Sequence, residues 1–208
     1  SPEEKMKKTF ETSLPDGYRA AYVFDAKDNK KTVLAMNVAN IIVTAAAIAL
    51  FWAVLRPLDG IKDGSADVSG VFENILSRYL IFIVTIVAYL VLHELTHGAA
   101  YWLITRQKLK FGFTLSVAYC GVPDIYVYRR TALIALLAPF CVFIPVFLIP
   151  MLVCRSGLDR ILAGIMLALH LGGCVGDLYD TWLFAVKFRS PDTLMNDTGP
   201  RQTFYVKQ

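Results

Sequence analysis

Charge is scarce in this chain. Asp, Glu, Lys and Arg make up 18% of its 208 residues, against about 25% in soluble globular domains. The charges present are bunched between long apolar runs, which argues against an ordinary soluble domain. The net charge is +4, but no basic helix or aromatic–basic platform lies outside the apolar runs. A nucleic-acid-binding role is excluded on that ground. Cysteine is sparse as well. Cys120, Cys141, Cys154 and Cys174 form no CxxC pair and no disulfide framework, so they read as small apolar residues in or near a membrane. There is no internal repeat and no low-complexity tract. The first 31 residues are too polar for a signal peptide.

Apolar residues are what the chain has in quantity, at 56%, and its mean hydropathy is positive. A bilayer crossing takes about 20 apolar residues. Four stretches qualify: 34–55, 79–105, 131–153 and 161–186. The third contains Pro139, Pro145 and Pro150, which neighbouring helices must accommodate. Lys and Arg alternate between the connections. Sixteen fall in the N-terminal segment, the second connection and the tail, and five in the other two links. The positive-inside rule then places both termini on the cytoplasmic side. The expected fold is mainly α: an integral membrane bundle of about four transmembrane helices with a small cytoplasmic-side β-hairpin. Residues 1–33 form a cytoplasmic N-terminal segment, 34–188 the membrane domain and 189–208 a cytoplasmic tail. The expected location is a prokaryotic plasma membrane.

The hairpin is expected over 111–128. Phe111 to Val117 and the following Ala-Tyr-Cys read as one strand. Gly121, Pro123 and Asp124 are turn residues, and Ile125 to Tyr128 is β-branched and aromatic again. The tail after Ser190, with Pro191, Asn196, Gly199 and Pro200, reads as a mobile or loosely packed extension.

One polar cluster interrupts the second apolar stretch: His93-Glu94-Leu95-Thr96-His97-Gly98. On a helix, positions i and i+4 share a face. Two imidazoles at that spacing can meet one tetrahedral zinc ion. Glu94, beside the first histidine, is placed to act as the base on a water there. Gly98 suits close approach of a neighbouring helix. A charged group at a helix centre in lipid costs about 2.5 kcal/mol or more, and such groups are usually functional.

Zinc needs a third protein ligand, with the fourth position left open. Asp177, His170, Asp180, Cys174 and Asp124 are candidates. Depth favours Asp177. His93 and Asp177 each lie about 15 Å from the cytoplasmic ends of their spans, at about 1.5 Å per residue. His170 sits about 10 Å higher on its helix and is a candidate for a supporting or buried hydrogen-bonding group. Cys174 and Asp180 are each one turn from Asp177. Gly172, Gly173 and Gly176 invite local unwinding or close helix contact.

These residues resemble those of intramembrane zinc metalloproteases of the site-2 protease type. They are closer still to a family of small zincin peptidases without extra domains. The matching features are His93 to Gly98 in one span, Gly176-Asp177 in a later one and the hairpin between. The resemblance spans about residues 79–186. It implies Zn2+ on His93, His97 and Asp177, with Glu94 catalytic. It also implies that Phe111 to Val117 holds a membrane protein or peptide substrate as an added strand. One departure stands out: the aspartate lies in Cys174-Val175-Gly176-Asp177-Leu178, without the Asn-Pro setting usual in site-2 proteases. The expected activity is zinc-dependent peptide hydrolysis within or beside the lipid bilayer. The alternatives are a non-proteolytic zinc-binding scaffold and a transporter-like bundle.

Overall fold

The computed structural model describes residues 8–55, 75–113 and 118–208. Five helices dominate it: α1 (Lys30–Leu55), α2 (Ile75–Thr105), α3 (Arg129–Val153), α4 (Gly157–Gly173) and α5 (Val175–Val186). The first three are each long and apolar enough to cross a membrane. The pair α4 and α5, broken at Cys174, makes a fourth if it counts as one span. Asn29 opens α1. Its carbonyl accepts the Val33 N–H at 3.0 Å, and its side-chain oxygen accepts the Asp25 N–H at 2.8 Å, which closes the turn that leads into the helix. Ser156 caps α4 by accepting from the Asp159 N–H. Large apolar side chains point outward along α1, α2 and α3, Ile41, Val84 and Val153 among them.

The strands are β1 (Phe10–Glu11), β2 (Tyr18–Asp25), β3 (Lys110–Phe113), β4 (Ala118–Gly121), β5 (Tyr126–Tyr128), β6 (Leu194–Asp197) and β7 (Arg201–Lys207). They form a five-stranded antiparallel sheet in the order β1-β5-β6-β7-β2, and a separate β3–β4 pair. Two sequence expectations change here. The hairpin is β3–β4, with Phe111 opposite Cys120. Of the expected strand Phe111–Val117, residues 114–117 lie outside the described residues. The second expected strand, now β5, pairs with β1 and β6 instead. The reason is burial at period two: Ile125 and Val127 both enter the sheet's core. The tail is no loose extension. β6 and β7 stand inside the sheet order, with Leu194, Met195 and Phe204 fully buried.

The residues divide into two compact units. One holds the chain up to Met36, Val91–Pro139 and Gly176–Gln208. The other holds Asn37–Leu90 and Phe140–Val175. The first unit has a core of Tyr101, Val127, Leu136, Phe184, Met195 and Phe204, with Phe188 and Phe204 stacked at 4.9 Å between ring centroids. The second packs Tyr89, Phe143, Phe147, Met166 and Leu167. An Arg78–Asp159 ion pair ties the start of α2 to the first turn of α4 in that unit. Gly172 admits α1: a Cβ there would meet the Thr44 hydroxyl, and would lie 2.8 Å from the Asn40 carbonyl oxygen.

Candidate metal centre

His93, Glu94 and His97 lie in the C-terminal part of α2 that belongs to the first unit. Their potential ligand atoms are all within 4.8 Å of one another. Both histidines are buried. Asp177, in the first turn of α5, closes the group. One carboxylate oxygen lies 3.3 Å from His93 Nε2 and the other 3.3 Å from His97 Nε2. Two ligand atoms on a tetrahedral zinc ion, each about 2.05 Å from the metal, stand about 3.3 Å apart.

The orientation of His97 has a local cause. Its Nδ1 lies 2.8 Å from the Ala135 carbonyl oxygen of α3. A carbonyl can only accept, so Nδ1 carries the hydrogen. In the neutral ring Nε2 then presents a lone pair toward Asp177 Oδ1, itself an acceptor. Two lone pairs facing each other at 3.3 Å call for a proton or a cation between them. In a helix the Ala135 carbonyl would ordinarily accept from residue 139. That residue is Pro139, which has no N–H. The proline thus leaves a carbonyl of α3 free for the histidine. Nitrogen, nitrogen and carboxylate oxygen form a donor set that suits zinc, so the residues present fit the ion.

Glu94 is half-buried, and its carboxylate accepts the backbone N–H of Cys120 in β4. The hairpin lies directly against the motif at Gly98. A Cβ there would sit 2.7 Å from Phe111 Cζ and 3.1 Å from Cys120 Sγ. The close neighbour expected at Gly98 was a helix; among the described residues it is this strand pair. The Thr96 hydroxyl donates to the Leu92 carbonyl of its own helix.

The sequence offered four further candidates: Asp124, His170, Cys174 and Asp180. Asp124 is exposed on the turn between β4 and β5. His170 belongs to the second unit, with Nδ1 2.9 Å from the Tyr89 hydroxyl and Phe140, Phe143 and Phe147 around its ring. Cys174 Sγ lies 3.6 Å from the same nitrogen. Asp180 is buried, and its Oδ1 has no hydrogen-bond partner among the described residues. Gly176 has open space where a Cβ would be.

Sequence reading missed Ala135, Tyr101, Cys120 and Asp197. The Tyr101 hydroxyl, one turn beyond His97, donates to Asp197 Oδ2 at 2.9 Å. Only the i+4 spacing of Tyr101 from His97 hinted at its place.

The family described as "Putative zincin peptidase" matches residues 74–190. That range holds α2 to α5 and β3 to β5, and leaves out β1, β2, β6 and β7. No curated protein and no solved structure matches the chain.

Proposed function

Since the chain belongs to the Putative zincin peptidase family, we propose that it is an intramembrane zinc metallopeptidase that hydrolyses a peptide bond within or beside the bilayer. The observation that carries this reading is the placement of Asp177 with one oxygen 3.3 Å from each histidine of the HExxH helix. His93, His97 and Asp177 hold the ion. The chemistry that bound zinc supplies is Lewis acidity toward the scissile carbonyl and the attacking water. Glu94 takes the proton of that water and later returns it to the leaving amine. The bond from Cys120 N–H keeps its carboxylate aimed at the site.

The membrane setting rests on α1 to α3 and on their outward-facing apolar side chains, which in water would be an aggregation liability. Both termini lie on the cytoplasmic side in this reading. The five-stranded sheet supports a shared side, because it draws strands from the N-terminal segment, the second connection and the tail. Substrate is a membrane protein or peptide that must unwind to expose a bond. Successive N–H groups of a strand alternate in direction, and those of Cys120 in β4 and of Val122 just after it go to Glu94 and Asp197. The edge left for an added substrate strand is the outer edge of β3, which pairs with no strand among the described residues.

The test is zinc content and cleavage of transmembrane peptides by wild type and Glu94→Gln. The expected variant keeps one zinc per chain and loses cleavage by about 10²- to 10⁴-fold. Equal cleavage by the two proteins would end this mechanism. Zinc bound by both with cleavage by neither would favour a scaffold.

A further inference from the structure

The turn between β6 and β7 is held from several directions, although it lies beyond residues 74–190. Gly199 N–H donates to Asp197 Oδ1 at 2.9 Å. The Thr198 N–H and hydroxyl both reach the Arg201 carbonyl at 3.0 Å. The Pro200 carbonyl accepts the Ala26 N–H at 3.0 Å. This turn presses on β4. The Val122 N–H donates to the Asp197 carbonyl at 2.8 Å. A Cβ on Gly121 would lie 2.6 Å from Gly199 N, and a Cβ on Gly199 would collide with the Tyr119 ring. Gly199 also has φ +93°, where a side chain is strained.

Asp197 therefore binds two elements at once. Its carbonyl holds β4 through Val122, and its carboxylate holds α2 through Tyr101. Two residues before Val122, the Cys120 N–H meets Glu94. Two turns before Tyr101 on α2 stands Glu94 itself. The two groups that must meet are each fixed, a short way along their own elements, to the same residue.

We infer that Asp197 is a positioning residue for Glu94: with Gly199 it clamps α2 and β4 at the separation that keeps the Cys120 N–H on the Glu94 carboxylate. This rests on Glu94 being the base. The clamp acts on the base without touching the metal ligands. Its loss should slow the chemical step and leave zinc in place, because misplacement by about 1 Å can cost up to about 10²-fold in rate.

The experiment uses the full chain, zinc-loaded, in detergent micelles, with Tyr101→Phe, Gly199→Ala, Asp197→Ala and Asp197→Asn. Deuterium exchange at the Cys120 amide reads the clamp directly. A quenched-fluorophore transmembrane peptide that wild type cleaves reads kcat and KM. In Tyr101→Phe, Gly199→Ala and Asp197→Ala, the Cys120 amide should exchange about tenfold faster and kcat should fall about tenfold, with KM within about twofold and zinc retained. Asp197→Asn keeps an oxygen for the Gly199 N–H and an amide facing the Tyr101 hydroxyl, so it should stay near wild type. Unchanged exchange and kcat in both Tyr101→Phe and Gly199→Ala would overturn the inference. Loss of zinc in those two variants would overturn it too, since the turn would then support the metal pocket as a whole. If instead Glu94→Gln cleaves like wild type, the proposed function fails, and the exchange measurement still decides whether the clamp exists.

Discussion

Single residues in this protein are set by what their neighbours cannot do. Pro139 offers no N–H, so the Ala135 carbonyl is open to His97. Pro139→Ala restores a competing helical donor. Zinc affinity should then fall about 10- to 100-fold, the range seen when a ligand's supporting partner is lost, as read by chelator competition; an unchanged affinity would remove Pro139 from the account. Cys120 shows the effect of burial: with the Asp197 and Glu94 charges adding to it, its thiol is pushed up to about 12. Alkylation at pH 8 should label Cys120 only after the protein is unfolded, and mass spectrometry of native against denatured samples checks this. Asp197 is raised from 3.8 to about 6, first by burial, with bonds from the Gly199 N–H and Tyr101 opposing the shift. The folded chain thus binds that proton more tightly than the unfolded chain. The group favours the fold most below about pH 4, and that advantage is lost as pH rises to about 6, by about 3 kcal/mol. Melting temperatures of wild type and Asp197→Asn across that window should diverge with this sign, and parallel curves would contradict it. The HExxH spacing was legible because it lies within five consecutive residues, and Asp177 was reachable by counting turns. Ala135 was not, because a backbone carbonyl has no signature of its own in a sequence. Tyr101 and Asp197 were not, because nothing local distinguishes a clamp residue from filler.

At the scale of elements, glycine marks where helices accept a neighbour, and two sites differ in what a methyl group would meet. At Gly98 the obstacle is the far end of the Phe111 side chain, with the Cys120 and Leu109 side chains behind it. Gly98→Ala should cost about 1–3 kcal/mol of stability, and Phe111→Leu in the same chain should recover part of it in a thermal unfolding assay. At Gly172 the obstacles include the Asn40 backbone carbonyl at 2.8 Å. Gly172→Ala combined with Thr44→Ala should therefore stay destabilised in that assay. The long apolar helices were read from the sequence to within a few residues, because length and hydropathy mark them. The break at Cys174 was only half visible: the glycines beside it signalled a weak point without fixing the residue. β5 was recognisable as a strand, but its partner was not. Pairing depends on β6, which is separated from it by three helices and carries too short an alternation to declare itself.

At the scale of the whole molecule, the sheet joins segments far apart in the sequence. Tyr18 pairs with Lys207, and β6 and β7 fill the interior positions of the sheet between β5 and β2. Removing residues 194–208 leaves β2 unpaired and β5 with β1 alone, and uncovers the Phe184 and Val127 core. Such a truncation should lose the protease-resistant fragment that the full chain gives, and an equally resistant truncated chain would contradict this. The order of synthesis gives this pairing a further meaning. A ribosome makes β6 and β7 after the five described helices. Until then β2 waits for its partner, β5 has only β1, and the residue that fixes β4 against α2 does not yet exist. A chain at that stage would hold its histidines and its glutamate without the strand that steadies the base. Synthesis of that segment would then be the step that arms the site. Chains stalled before residue 194 should cleave poorly, and extension through β7 should restore cleavage without any added factor.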